Sequence, residues 1–253
     1  MLTAAIPVRS AYKGLLQILT YNRPFYIRAC IGATGALVAA LYLPPLFRVL
    51  LLAAVGAGVF WMCSSLAVSH YVYDKSPLYS LSWLPACLSR PPARWLNIHN
   101  GLDEINITLP SLFPNSQGQL LDIFDPAEMS EPSINRARQL TQITANPVDW
   151  RALPLPDGTF DAAFILFTAH ELRRHQARAQ LFGEIKRVLR TGGELVLVEH
   201  LCDLPNFLAF GPGFFHFFSK RTWLKAANAA GLCVRLKRTV TLFVHVFVLG
   251  KPQ

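Results

Sequence analysis

The sequence predicts an α/β fold in which a mostly parallel sheet with an antiparallel last strand follows two hydrophobic helices. Three observations carry this expectation. First, residues 160–167 are a short apolar run suited to a strand buried on both faces, and residues 176–189 set Ala179, Phe182, Ile185, Val188 and Leu189 along one helical stripe. Gly192-Gly193 then stops that helix and 194–199 resumes a buried strand, giving a right-handed βαβ unit. Second, 232–238 and 241–249 read as two strands joined by a tight turn. Third, two long stretches near the start are almost free of charge.

Those early stretches set the domain plan. Residues 27–43 are apolar apart from Arg28 and Thr34, and 49–68 are apolar apart from Ser64-Ser65, with Pro44-Pro45 and Arg48 between them. Each approaches the ~20 residues that a spanning helix needs. A Pro-Pro turn between them predicts a helical hairpin that enters and leaves a bilayer on one side. Arg9, Lys13, Arg23 and Arg28 precede the hairpin, and Lys75, Arg90 and Arg94 follow it. The positive-inside rule therefore puts both ends, and the domain beyond, in the cytoplasm. Two buried core helices are the alternative, and Gly32, Gly35, Gly56 and Gly58 suit close helix packing in either setting. The expected division is a hairpin over 1–75, a Pro-containing linker over 76–93 with Trp83 and Pro85, and an α/β domain over 94–253.

Within that domain, 94–100 reads as the first strand, 105–113 as a helix, and 119–124 as a second strand ending in Asp125. A helix over 133–142 and a short third strand around 143–148 precede the βαβ unit. An aromatic insert, 204–218, carries Phe207, Phe210, Phe214, Phe215, Phe217 and Phe218 around Gly211-Pro212-Gly213, and a helix over 221–230 follows. Such an insert can line an apolar acceptor pocket, dip into a lipid interface, or pack as a lid.

The 253 residues carry a formal charge of +9, and the hydrophobic share of 52% is high. The basic residues are scattered and accompany no zinc-finger or RNA-binding signature, so attraction to an anionic lipid surface is the simpler use and no nucleic acid is expected. Five cysteines without a C-x-x-C pair fit a reducing compartment, and seven histidines show no metal-ligand spacing, so no metal is expected.

One ordered set of motifs goes further. Asp149, Leu153-Pro154, Asp157-Gly158-Thr159-Phe160-Asp161, Val188-Leu189-Arg190-Thr191-Gly192-Gly193 and the strand 194–199 together resemble the C-terminal half of a class I S-adenosylmethionine-dependent methyltransferase, in the group that includes the quinone-biosynthesis enzymes. The resemblance covers about 94–252 and is strongest after Asp149. It implies a Rossmann-like methyltransferase sheet and S-adenosylmethionine as cofactor. The family's Leu-Asp-x-Gly-x-Gly-x-Gly loop corresponds here to Leu96-Asn97-Ile98-His99-Asn100-Gly101-Leu102-Asp103, in which Gly101 alone remains of the glycines. Asn97 stands for the usual acid, and His99 and Asp103 stand for glycines. This departure implies a reshaped loop in which Asn100, Asp103 or Glu104 takes over polar contacts, either acid pairing with the cofactor's ammonium or capping the next helix.

The cofactor-binding candidates are thus Asn97, His99, Asn100, Gly101, Asp103, Asp125, Asp149 and Trp150. Asp125 would accept the ribose hydroxyls, as carboxylates at strand tips do in dinucleotide folds. Asp122 competes for that role but, mid-strand, would point into the sheet's packing. Asp149 would bond the adenine amino group, with Trp150 flanking the ring or packing as a core residue. In open α/β sheets the crevice lies beyond the C-terminal strand ends, which selects His170 as general base, Glu171 as its orienting carboxylate or a helix-terminal acid, and His200 as a second polar wall. The expected function is a membrane-attached methyltransferase acting on a lipophilic small molecule, with a quinone or phenolic precursor favoured. A catalytically inactive, membrane-tethered scaffold is the alternative, and an RNA methyltransferase is a third.

Overall fold

The computed structural model describes residues 10–102, 104–140 and 147–252. Eight α-helices and six strands are described: α1 (Lys13–Tyr21), α2 (Arg23–Ala40), α3 (Pro45–His70), β1 (Arg94–His99), α4 (Thr108–Leu112), β2 (Gln117–Asp122), α5 (Pro132–Leu140), β3 (Phe160–Leu166), α6 (His175–Val188), β4 (Leu189–Glu199), α7 (Leu204–Phe210), α8 (Lys220–Ala229), β5 (Cys233–Thr241) and β6 (Val244–Gly250). The strands form one sheet in the order β2-β1-β3-β4-β6-β5. The first four run parallel, and β6 lies antiparallel to both β4 and β5.

Alternation along the strands divides the core into two layers. Leu96, Ile98, Ala163, Ile165, Leu195, Leu197 and Phe247 face Leu181, Phe182, Ile185 and Trp223 of α6 and α8. Trp95, Ala162, Phe164, Val196, Val198 and Val246 face the other way, onto Leu78, Leu81, Trp83, Leu84, Ile105 and Leu109. The stretch expected as a linker, 76–93, is therefore packed: its apolar side chains cover the second face of the sheet, which a parallel sheet cannot leave to water.

Several sequence expectations are corrected. The helix α6 ends at Val188, before Gly192-Gly193 rather than at them, because Gly158 and Thr159 donate their N–H groups to the terminal carbonyls of Arg187 and Val188. Leu189 then pairs with Phe160 and Glu194 with Ala162, so the intervening residues bulge out with Gly192 at φ +75°. The second strand ends at Asp122 instead of reaching Phe124, and α4 is shorter than the 105–113 helix expected. Residues 143–146 of the expected third strand lie outside the described residues, as do 141–142 at the end of the expected helix, Arg9 and Asp103; Pro147, Val148 and Asp149 are irregular.

The N-terminal helices differ from the simple hairpin. Among the described residues one helical stretch, Pro45–Lys75, is long and apolar enough to cross a membrane, with mean hydropathy 2.1 and none of its most apolar window buried. The shorter α2 does not reach that measure, although Ile31, Val38 and Leu41 near it are also exposed. Nothing among the described residues lies within 4 Å of a Cβ placed at Gly32, Gly35, Gly56 or Gly58, so these glycines face open space on this chain. Arg48 turns back across the Pro44-Pro45 bend and donates to the carbonyls of Ala40 (2.9 Å) and Leu43 (3.1 Å), satisfying acceptors that the end of α2 leaves open.

Where β1 and β2 pair, the Trp95 indole lies against Gly118 and donates to Ser116 Oγ at 2.7 Å. A Cβ at Gly118 would stand 2.0 Å from that ring. Gly118→Ala is expected to cost roughly 1–3 kcal/mol through overpacking, read as a lowered midpoint in denaturant unfolding.

Candidate active site

A cavity of about 180 Å³ lies at the C-terminal tips of β1 and β3. Asn97 and His99 of β1, Leu166 and Phe167 at the end of β3, and Leu102 and Glu104 of the following loop form its floor and side. Its roof is α1, through Gly14, Gln17 and Ile18, and Tyr73 and Tyr79 close another wall. The sequence reading missed α1. A buried carboxylate docks it: Asp74 accepts from the N–H groups of Gly14 (2.6 Å) and Leu15 (3.0 Å), where a helix start presents unpaired donors and positive potential. Glu104 is bonded to Lys13 (2.9 Å) and to the Gln17 amide, so it joins α1 to the loop instead of standing open to a ligand. Phe167 adopts φ +47°, a conformation non-glycine residues rarely hold and one that concentrates at functional sites.

Beside this cavity, Gly101 holds φ +98° and Arg138 of α5 fills the space a Cβ would need. The Arg138 Nη1 donates to Asn100 O and to Asp122 Oδ2, both at 2.8 Å, and the guanidinium stacks 4.1 Å from the Phe124 ring. Asp122, mid-strand in the sequence reading, is the last residue of β2 and fully buried. Asn100 Oδ1 is also buried, with no hydrogen-bond partner among the described residues. Asp125 lies three residues past the strand and faces elsewhere. It accepts from Arg151 (2.9 Å), the Trp150 indole (3.2 Å) and Ala127 N (2.9 Å). Those donors hold its carboxyl below the usual range against a burial effect that alone would raise it. Asp149 bonds the same Arg151 at 3.3 Å, and Trp150 is a core residue, 1% exposed, with Arg151 over its ring. Asp125, Asp149 and Trp150 thus gather around Arg151, and Asn97 and His99 gather around the cavity, with Arg138 at Gly101.

The three residues selected for chemistry sit past β3 and β4. His170 lies in a short 3₁₀ turn, Ala169–Glu171. Its Nδ1 is 2.9 Å from Glu199 Oε2 and its Nε2 3.1 Å from Glu171 Oε1. Burial would lower the His170 pKa, but Glu199 and Glu171 outweigh it and raise it to about 10. Burial would likewise raise Glu171, yet its bonds to His170 and His216 lower it to about 2. Carboxylates thus engage both ring nitrogens of His170, Glu199 at Nδ1 and Glu171 at Nε2.

His200 is the opposite case. Its Nδ1 is 2.8 Å from the Phe243 carbonyl, which accepts only, so the proton sits on Nδ1 and Nε2 accepts from the Tyr73 hydroxyl at 2.9 Å. Phe167 and Phe217 stack on the ring at 5.0 and 4.9 Å, and burial pushes its pKa down to about 4.

The sheet and these tips have counterparts among known proteins. The profile of the family described as "Methyltransferase domain" matches residues 124–197. A demethylmenaquinone methyltransferase of Thermus thermophilus is 30% identical over 112 residues, which are 44% of this chain and 49% of the relative; the chain thus matches about half of that protein's length. The structure of the pyocyanin biosynthetic protein PhzM is similar with a TM-score of 0.57 at 11% identity, covering 96% of this chain and 74% of that one. Human N-acetylserotonin methyltransferase in complex with S-adenosylmethionine gives a TM-score of 0.55 at 13% identity, covering 94% and 70%. A methyltransferase domain is thus matched over residues 124–197, on a sheet whose fold is that of these methyltransferase structures. The profile match opens at Phe124, so the altered loop around Gly101 lies outside it. The two structural likenesses cover more of this chain than the methyltransferase domain expected over 94–253, so the likeness in fold takes in N-terminal helix as well.

Sequence reasoning about the methyltransferase domain missed Arg138, Tyr73 and Glu199. An Arg on an exposed-looking helix carries no local signal that it reaches a strand tip, and Glu199 reads as the last residue of a buried strand. Tyr73 follows an apolar run and was absorbed into it.

The His200 environment makes a pH prediction. The unfolded chain binds a proton at His200 near pH 6.5 whereas the folded chain does so only near 4, so stability is complete above 6.5 and is lost as pH falls toward 4. The loss amounts to roughly 3 kcal/mol at 1.36 kcal/mol per unit. Thermal midpoints of the wild type should therefore fall faster than those of His200→Gln between pH 6.5 and 4; parallel curves would show that the buried ring is not held neutral.

Proposed function

We propose that this protein is a membrane-attached methyltransferase that transfers the methyl group of S-adenosylmethionine to a lipophilic small molecule, with a quinone or phenolic precursor as the acceptor class. The observation that carries the reading is the position of Tyr73. It lies in the π-helical turn Tyr71–Lys75 at the end of the apolar stretch Pro45–Lys75, lines the cavity at the tips of β1 and β3, and bonds His200. An apolar helix with its outer surface uncovered thus ends inside the site, which supports delivery of a greasy acceptor along it. The relative's name, demethylmenaquinone methyltransferase, supports a quinone-type acceptor.

The residues present fit the cofactor. Asn100 O and the Asp122 carboxylate accept from one cationic donor, Arg138, and Asn100 Oδ1 is an orphaned acceptor beside them. A cationic ligand bearing hydroxyl and ammonium donors matches that set, and the cradle at Gly101 allows close backbone approach. On this reading Asp122, at the tip of β2, takes the ribose role expected of Asp125, and Arg138 leaves it when the ligand enters. S-adenosylmethionine supplies the electrophilic methyl on its sulfonium. The chain's part is to position an acceptor oxygen or carbon in line and to exclude water, which the roof α1 and the aromatic wall of Tyr73, Phe167 and Phe217 are placed to do.

Calorimetric titration of the full chain in detergent with S-adenosylmethionine should show one saturable site. Asp122→Asn should weaken it at least about tenfold, the scale of one charge-assisted hydrogen bond. Failure to bind at millimolar cofactor leaves the tethered scaffold as the reading. For the membrane, the protein should float with anionic vesicles and stay bound in high salt, because apolar insertion is not screened whereas surface attraction is. Protein recovered at the bottom of the gradient overturns attachment.

A further inference from the structure

The side chains beyond β3 present a second site that methyl transfer does not use. His170, Glu171 and His216 each aim one ligand-capable atom into the same space, all within 4.8 Å of one another. Glu171 Oε1 is 3.1 Å from His170 Nε2 and 3.8 Å from His216 Nε2. A tetrahedral ion with bonds of about 2.05 Å spaces its ligand atoms about 3.3 Å apart, within the spread seen here.

The far nitrogen of each histidine is the second observation. His170 Nδ1 is 2.9 Å from Glu199, which is 1% exposed, and His216 Nδ1 is 3.6 Å from Glu131. Histidines that ligate metals are oriented in this way, a carboxylate on the far nitrogen fixing the ring and making the near nitrogen a better donor. Two histidines on separate segments converge on a third carboxylate, His170 hydrogen-bonded to Glu199 at its far nitrogen and His216 with Glu131 near its own, which is more than a cluster of acids. A cavity of about 430 Å³, lined by Glu171, His216, Glu131 and Arg173, opens onto the same point, so a fourth coordination position would face open space.

We propose that His170, Glu171 and His216 form a divalent transition-metal site, two histidines and one carboxylate, with an open position facing the cavity. Imidazole and carboxylate donors suit zinc, cobalt or iron(II) better than calcium or magnesium. Arg173 hydrogen-bonds the carbonyls of His216 (2.7 Å) and His170 (3.2 Å) and so ties the two ligand-bearing segments together. The site stands apart from the Asn97–His99 cavity, and its test does not depend on cofactor binding.

The test is titration of the untagged full chain in detergent with Co²⁺, followed by visible absorption and calorimetry. One ion per chain should bind and give d–d bands. His216→Ala, a change at a half-buried surface side chain, should weaken binding at least tenfold and remove the bands, as should Glu171→Gln. Glu199→Gln, which touches the far nitrogen and the backbone N–H of His170 but no ligand atom, should weaken binding 10- to 100-fold. His175→Ala should leave binding unchanged. Absence of saturable binding, or binding that survives both His216→Ala and Glu171→Gln, overturns the site.

Discussion

A parallel sheet must be covered on both faces, and in this protein the two covers come from opposite ends of the chain. The C-terminal half wraps one face with α6 and α8, as the βαβ pattern requires. The other face is closed by Val72 and the stretch from Leu78 to Cys87, which directly continues α3. Covering the sheet therefore draws the apolar N-terminal helices against the methyltransferase domain, sets Tyr73 at the strand tips, and lets Asp74 seat α1 over them. The roof of the cavity follows from the need to bury Phe164, Val196 and Val198.

Charge organises what hydrophobic burial leaves open. At the tip of β2, Asp122 and Arg138 neutralise each other in a buried setting, where loss of either partner leaves an uncompensated charge. Past β3 and β4, His170 and His200 lie close together, and their surroundings act on them in opposite ways. The carboxylates of Glu171 and Glu199 favour the charged form of His170, whereas burial among aromatic rings favours the neutral form of His200. The sequence cannot separate them, since both simply follow a strand.

Legibility followed the range of the interactions. From Asp149 onward, β3, α6, β4 and the final hairpin were readable because each rests on periodicity within its own segment. Earlier, β2 and α4 were displaced by a few residues, because their ends depend on pairing with β1 and on packing under the 78–87 stretch. The strand tip expected at Asp125 is occupied by Asp122 for the same reason: a strand end is fixed by its neighbour, here His99 opposite Asp122. Trp150 and Arg138 show the limit most clearly. One looks like a ring made for stacking and is core; the other looks like a solvated helix residue and occupies the loop at Gly101.

The bend at Pro44-Pro45 has a consequence for how these helices behave near lipid. Because the Arg48 guanidinium is folded onto the last carbonyls of α2, the distal end of the helix pair offers its single formal charge already sheathed by peptide dipoles. A sheathed guanidinium is cheaper to carry into a headgroup region than a bare one, so this residue weighs little as an orientation signal. Were the pair to enter a bilayer as proposed, its orientation would rest on the cations of the proximal side, Arg23, Arg28 and Lys75.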